Sequence, residues 1–309
     1  MSRVAKAAVG LMAATLVAKI LGFGRELALA SAYGASGVSD AFLVAMNIPA
    51  VIFTAIGTSL GTAFIPLYCE VNANKGEQSS NKFTNNVFNI VVIICIVISV
   101  IGAIFTPQIV KIFAVGFEGE TLRLAIYFTR VMILGLAFLG MSYIMMAYLQ
   151  VKENFIIPGF MSVPYNILII ISIIVSVKIS PYLLPWGTLI GLSLQFLFQL
   201  PFAIKKGYRY KLYIDVKDEH LKRMLWLIAP VLIGVAVNQI NTIVDRTIAS
   251  TLVEGSISAL NYATKLNQFV MGMFIVSISS VVYPMLSKLS SENNKEQFAY
   301  SAISLSLNL

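Results

Sequence analysis

Charge is what this sequence has least of. Asp, Glu, Lys and Arg make up 12% of its 309 residues, roughly half the share of a soluble globular chain, while 58% are hydrophobic. So few polar side chains cannot coat water-soluble domains of this length, and so apolar a composition also excludes disorder. Cysteine is nearly absent: Cys69 ends one apolar run and Cys95 lies inside another. Without C-x-x-C spacing they indicate neither a disulfide scaffold nor a zinc site. The single histidine, His220, stands in a charged stretch and reads as a solvated surface group. No basic run sits with aromatics on a soluble face, so a nucleic-acid partner is excluded. What the sequence has in quantity is long apolar runs, the mark of an integral membrane protein.

About 20 apolar residues cross the hydrocarbon core as a helix. Eight runs meet that measure, at roughly 7–33, 41–69, 84–105, 122–149, 155–177, 182–204, 224–252 and 258–286, with a partial ninth from about 297. They are continuously apolar rather than alternating, which predicts helices and not a β-barrel. The first run follows Arg3 and Lys6 as a signal peptide would, but has no convincing cleavage site and continues through Lys19 and Arg25; it reads as a retained span. Fourteen lysines and arginines fall before the first span and in alternate loops, seven of them between 205 and 223, against two in the opposite loops, Lys111 and Lys178. That asymmetry predicts a cytoplasmic N-terminus in a multi-pass cell-membrane protein.

Six basic residues remain within or at the edges of spans: Lys19, Arg25, Arg123, Arg130, Arg246 and Lys265, with Glu26, Asp40 and Asp245 as acidic companions. Each cation at a helix centre costs about 2.5–3.5 kcal/mol even on the gentler insertion scale. They are expected to line a water-filled cavity, Arg123 by snorkelling, and their excess over carboxylates favours an anionic substrate. Structural pairing of Arg25 with Glu26 is the bland alternative, weakened because adjacent helical residues do not face each other. Asp215, Asp218 and Glu219 form the one close acidic cluster, in a basic stretch where solvation accounts for them. No carboxylates or histidines cluster at a membrane face for acid–base or metal chemistry, so the chain is not read as an enzyme.

Two segments repeat at an offset of 218: Gly37-Val38-Ser39-Asp40-Ala41 with Gly255-Ser256-Ile257-Ser258-Ala259, and Ile65-Pro66-Leu67 with Tyr283-Pro284-Met285. Six spans separate them, which keeps both in one orientation and suggests a duplicated six-helix unit. The chain then divides into a six-helix lobe at 1–204, a basic cytoplasmic linker at 205–223 and the start of a second lobe at 224–309. Gly22, Gly24 and Pro49 are the hinge candidates, and Gly57/Gly61 reads as helix packing.

The stretches Ala18-Lys19-Ile20-Leu21-Gly22-Phe23-Gly24-Arg25-Glu26, Tyr33-Gly34-Ala35-Ser36, Ser39-Asp40-Ala41-Phe42, Asn47-Ile48-Pro49, Ala63-Phe64-Ile65-Pro66 and Asn261-Tyr262-Ala263-Thr264-Lys265-Leu266 resemble the MurJ (MviN) family. The resemblance implies an all-α, two-lobe transporter of the multidrug/oligosaccharidyl-lipid/polysaccharide exporter superfamily. Of its roughly fourteen helices this sequence holds eight and a fragment, a six-helix N-lobe and a truncated C-lobe. It implies a flippase that carries lipid II, a polyprenyl-pyrophosphate-linked glycan, between leaflets by alternating access; export of another such glycan, or a non-transporting fragment, is the alternative. By position it assigns Lys19, Arg25, Lys265 and Asp40 to the substrate, to which Arg246 is added as an intramembrane cation, and Asp245 to an incomplete sodium site, with sodium or a proton as the coupling ion and no organic cofactor. A further family arginine after the N-x-P element is replaced here by Phe53 and Thr54.

Overall fold

The computed structural model describes residues 3–271, with side chains from Gly10 onward except at a few positions within two of the helices. Among these residues every regular element is helical: α1 (Arg3–Tyr33), α2 (Gly37–Ile104), α3 (Thr106–Phe113), α4 (Gly119–Met132), α5 (Leu136–Val151), α6 (Ile156–Phe160), α7 (Ser162–Lys178), α8 (Leu184–Lys205) and α9 (Glu219–Ser250), then a helical stretch over 256–271. The partial ninth span and the second Pro284 match lie outside the described residues. The chain divides into two units, Met1–Tyr262 and Ala263–Leu309. The first contains α1 to α9. In the second, Lys265 Nζ donates to Gln268 Oε1 at 3.4 Å, one turn further on.

Five described stretches are long and apolar enough to cross a membrane: Ser59–Ile104, Gly119–Val151, Ile156–Lys178, Pro181–Lys205 and Glu219–Ser250; Gly37–Val51 is a shorter apolar helix. Some expected boundaries need correction. No loop separates the spans expected at 41–69 and 84–105. Helix α2 continues from both sides into the polar segment between them and reverses at one residue, Gly76 (φ 76°, ψ 177°). The two arms run back along each other, with Phe64 and Phe83 stacked at 5.7 Å and Ser80 Oγ donating to Asn72 Oδ1 at 3.2 Å. The conformation of Gly76 is essentially open only to glycine, which is why so polar a segment needs no loop to turn. The span expected at 122–149 is present as Gly119–Val151, α4 continuing into α5 through a 3-10 turn at Ile133–Gly135.

Two apolar cores fill the first unit. One gathers Phe64, Tyr68, Phe83, Tyr148 and Tyr208 with Leu221 and Met224 near the Gly76 reversal. The other gathers Leu29, Phe42, Ile48, Phe113, Phe128, Ile169 and Ile257, with Phe42 and Phe128 edge to face at 6.3 Å. In a bilayer, helices are held by close packing rather than by expulsion of water, so small residues matter. Gly57 of α2 faces the Tyr143 ring of α5, where a methyl would fall 2.8 Å from it. Gly61 meets nothing within 4 Å, so only the first glycine of that pair packs. Helix α1 lies on α6 and α7, and α9 lies on α2.

Candidate functional site: a buried arginine, glutamate and asparagine network

Helix α1 carries Arg25 and Glu26 into the protein, where polar side chains of α7 and of the helix over 256–271 meet them. Arg25 donates one guanidinium nitrogen to Glu26 Oε1 at 2.6 Å and the other to Asn166 Oδ1 at 3.3 Å, and lies 6.0 Å from the Tyr165 ring centroid. Asn166 is oriented on α7 by its own amide, which donates to Ser162 O at 2.9 Å. The second Glu26 oxygen accepts from Asn261 Nδ2 at 2.9 Å. Asn261 Oδ1 accepts from Arg246 at 3.4 Å, and Arg246 also donates to the Leu43 carbonyl at 3.4 Å. One hydrogen-bonded chain thus ties α7, α1, the helix over 256–271, α9 and α2.

Glu26 is 6% exposed, while Arg25 and Arg246 are only partly buried. Arg25 pairs with the one carboxylate and Arg246 reaches it through Asn261, so the cluster keeps one positive charge in excess. A buried ion pair of this kind persists when its remaining lone pairs and protons are satisfied, and the two asparagines do that. The helix-neighbour objection to an Arg25–Glu26 pair therefore fails: it holds for short side chains, whereas the long guanidinium folds back to reach the next residue.

Of the residues singled out from sequence, the structure joins Arg25 and Arg246 in one network. Lys19 is exposed on α1, six residues from Arg25 and so on a different face. Arg123 and Arg130 are exposed on α4. Lys265 belongs to the second unit. Asp245 is exposed on α9, and no group of three His, Cys, Asp or Glu side chains able to hold a metal occurs among the described residues. The helix backbone runs unbroken through Gly22, Gly24 and Pro49; the one non-helical residue inside α2 is Gly76. Asp218 caps α9, accepting from the His220 and Leu221 amides at 2.8 and 3.0 Å, so part of the acidic cluster ends a helix.

Asp40 makes a second, separate contact. It is buried, and its carboxylate accepts from the amides of Gly255 at 2.8 Å and Ser258 at 2.7 Å, and from the Ser258 hydroxyl. Both oxygens cap the first turn of the helix over 256–271, where the helix dipole favours a negative charge. Ser258 is 218 residues beyond Asp40, the offset at which the two segments match. Leu43 and Asn261, joined through Arg246, stand at the same offset. The glycines behave reciprocally: Gly37 abuts Glu254, and Gly255 (φ 91°) abuts the Ala35 carbonyl, 2.6 Å from where a methyl would sit.

Sequence reasoning missed Asn166, Asn261 and Tyr165 as members of the network. An asparagine within an apolar run was the available signal for Asn166, since a buried amide needs partners. Asn47 offers a further donor: its Nδ2 is buried without a partner, one turn along α2 from Leu43.

Comparison with known proteins places this arrangement. A family model described as lipid II flippase MurJ matches residues 29–309. The probable lipid II flippase MurJ of Buchnera aphidicola subsp. Acyrthosiphon pisum is 31% identical over 280 residues, 89% of this chain and 55% of that protein. The lipid II flippase MurJ of Burkholderia cenocepacia is 28% identical over 297 residues, 92% of this chain and 57% of its own length. A solved structure of lipid II flippase MurJ in an inward closed conformation aligns with TM-score 0.78 at 31% identity, over 94% of this chain and 60% of that one. An inward-facing MATE-family multidrug transporter shares the fold alone, with TM-score 0.69 at 14% identity. The chain spans little more than half the length of the curated relatives it matches, and it belongs to the MurJ lipid II flippase family.

Proposed function

We propose that this chain is the part of a lipid II flippase that holds the pyrophosphate of the lipid-linked precursor at Arg25 and Arg246, in a bacterial cell membrane with the N-terminus cytoplasmic. The observation that carries the reading is the buried network: two partly exposed guanidinium groups held around one carboxylate, with a net positive charge and spare donor capacity at Asn47. Arginine presents a planar fork that matches phosphate oxygens in pairs. Before substrate arrives Glu26 holds Arg25 directly and Arg246 through Asn261; a pyrophosphate offers both guanidiniums competing oxygens. No bond is made or broken. Moving a dianionic headgroup outward down a negative-inside potential gains roughly 4–5 kcal/mol per 100 mV, enough to drive the transfer without a chemical step.

Alternating access needs an end that closes and reopens. The contact of Asp40 with Gly255 and Ser258 supports such a role: it joins two counterpart segments through hydrogen bonds to one carboxylate, beside the apolar packing of Ile257. The test is Arg25→Ala and Arg246→Ala in the full-length flippase that contains this chain, measuring lipid II exposed on the outer leaflet. Loss of flipping at normal expression is expected; undiminished flipping by both variants overturns the assignment.

A further inference from the structure

The segment between α8 and α9 is held in an uncommon way. Four asparagines on the second arm of α2 grip its main chain. Asn81 donates to Gly207 O at 3.2 Å and Asn85 to Arg209 O at 2.8 Å. Asn89 donates to Lys211 O and Tyr213 O at 3.2 and 3.0 Å, and Asn86 to Asp215 O at 2.9 Å. Two amides are held from the same side: Lys211 donates to Asn85 Oδ1 at 3.2 Å and Asp215 to Asn86 Oδ1 at 2.7 Å. Every main-chain group in this set belongs to an odd-numbered residue. In an extended chain the N–H and C=O of one residue point to one edge, and those of the next residue to the other. This strap is therefore a lone strand, one edge of which is filled by side-chain amides in place of a neighbouring strand.

Its other edge is open. Among the described residues nothing bonds the N–H or C=O of Tyr210, Leu212 or Ile214, and no strand lies beside them. All three residues are exposed, Leu212 by 78%. A row of exposed, unpaired N–H and C=O groups is a template for another extended chain. The asparagine grip holds the template in shape, so little of it remains to be ordered on binding.

The two faces of the strap set the chemistry of the chain that fits. Side chains alternate, with Tyr210, Leu212 and Ile214 on one face and Arg209, Lys211 and Tyr213 on the other. Arg209, Lys211 and Tyr213 line a polar cavity of about 710 Å³ together with Lys82 and Glu77. Glu77 is paired with Lys152, and Asp215 accepts from the Tyr213 hydroxyl and the Lys217 amide. Among the described residues Lys82, Arg209 and Lys211 have no ion pair, so this face is positive. A second copy of the strap would set these cations against their own kind, and like charges directly opposite each other destabilise a strand pair. A strand that suits both faces alternates apolar and acidic side chains.

We propose that the open edge takes up an extended segment of a partner protein, one that alternates apolar and acidic residues. Its main chain bonds to Tyr210, Leu212 and Ile214, and its carboxylates lie beside Arg209 and Lys211. The strap begins where the membrane-crossing stretch Pro181–Lys205 ends, so the partner docks at the membrane surface. This edge is separate from the Arg25 network and does not depend on the flippase reading.

The test is fluorescence anisotropy of a labelled synthetic peptide of alternating valine and glutamate, titrated with the whole 309-residue chain in an uncharged detergent. Saturable binding is expected, weakened up to about fivefold by each of Arg209→Gln and Lys211→Gln. N-methylation of the peptide separates strand addition from charge attraction, because alternate amides of an added strand point toward the strap and away from it. Methylating one alternate set should abolish binding, and methylating the other should spare it. Leu212→Pro removes an N–H from the open edge alone, so it should lose the peptide while the unfolding midpoint stays near that of the parent. Failure of the peptide to bind overturns the proposal. So does an equal effect of the two methylation patterns, or unchanged binding by a folded Leu212→Pro.

Discussion

Glu26 is the residue on which the candidate site depends, because two guanidinium groups are balanced by its one carboxylate. Glu26→Ala leaves both uncompensated within the protein, and breaking a buried pair in this way costs about 3–5 kcal/mol. The expected outcome is a large fall in the unfolding midpoint in detergent, with Glu26→Gln falling less because it keeps an acceptor for Asn261. Equal midpoints for Glu26→Ala and the parent would show that water already solvates the cluster. A milder residue-scale prediction concerns Glu77, whose carboxyl is held below its ordinary 4.5 by a hydrogen bond from Lys152 and then by that ammonium's charge. A carboxylate with a lowered value contributes stability that is present above 4.5 and lost as pH falls through the lowered value. Parent and Glu77→Gln should therefore differ in unfolding midpoint at pH 6 and converge once the pH has fallen far enough to protonate Glu77.

At the scale of elements, α2 turns on Gly76. Any side chain there meets open space, so substitution tests backbone conformation alone. Gly76→Ala is expected to cost about 1–3 kcal/mol and to lower the unfolding midpoint, whereas Gly22→Ala and Gly24→Ala, in regular helix with nothing within 4 Å, should leave it level or raise it. The strap offers a second element-scale prediction. Removing a hydrogen-bond partner costs on the order of 1 kcal/mol, so Asn85→Ala and Asn86→Ala should each speed hydrogen exchange at one amide. The first should act on Lys211 and the second on Asp215, which those side chains accept from. Uniform acceleration across 208–217 would instead mean that the strap opens as a unit.

Over the first unit as a whole, two polar contacts sit in one apolar body: the Arg25 network, and the Asp40 contact between counterpart segments. Asp40 caps a helix with three hydrogen bonds in a buried position, and bonds to a charged group are worth roughly 1.5–3 kcal/mol each. Asp40→Ala should therefore loosen the contact. Ile257→Cys, buried one residue before Ser258, reports it: a water-soluble maleimide should label that cysteine slowly in the otherwise unchanged protein and many times faster when Asp40→Ala is added. Equal labelling rates would show that the contact does not seal this end.

Much of this was legible in the residues themselves. Low charge and long apolar runs determined a helical membrane protein, because a bilayer tolerates a backbone only when it satisfies its own hydrogen bonds. Arg25 and Arg246 were legible as intramembrane charges, since each must find a partner or water, and Asp40 and Ser258 were legible as members of a repeat. What they touch was not. The reversal at Gly76 hid inside a polar stretch that composition reads as a loop, because composition carries no record of φ. Asn166 and Asn261 are ordinary amides until the fold carries one 141 residues beyond Arg25 and the other 235 residues beyond Glu26 to them. Counterparts 218 residues apart meet only when their helices pack. Helix formation and membrane partition follow from local sequence, since their energies add along the chain; which polar group satisfies which is decided by tertiary structure, since a partner distant in sequence exists only once the chain has folded.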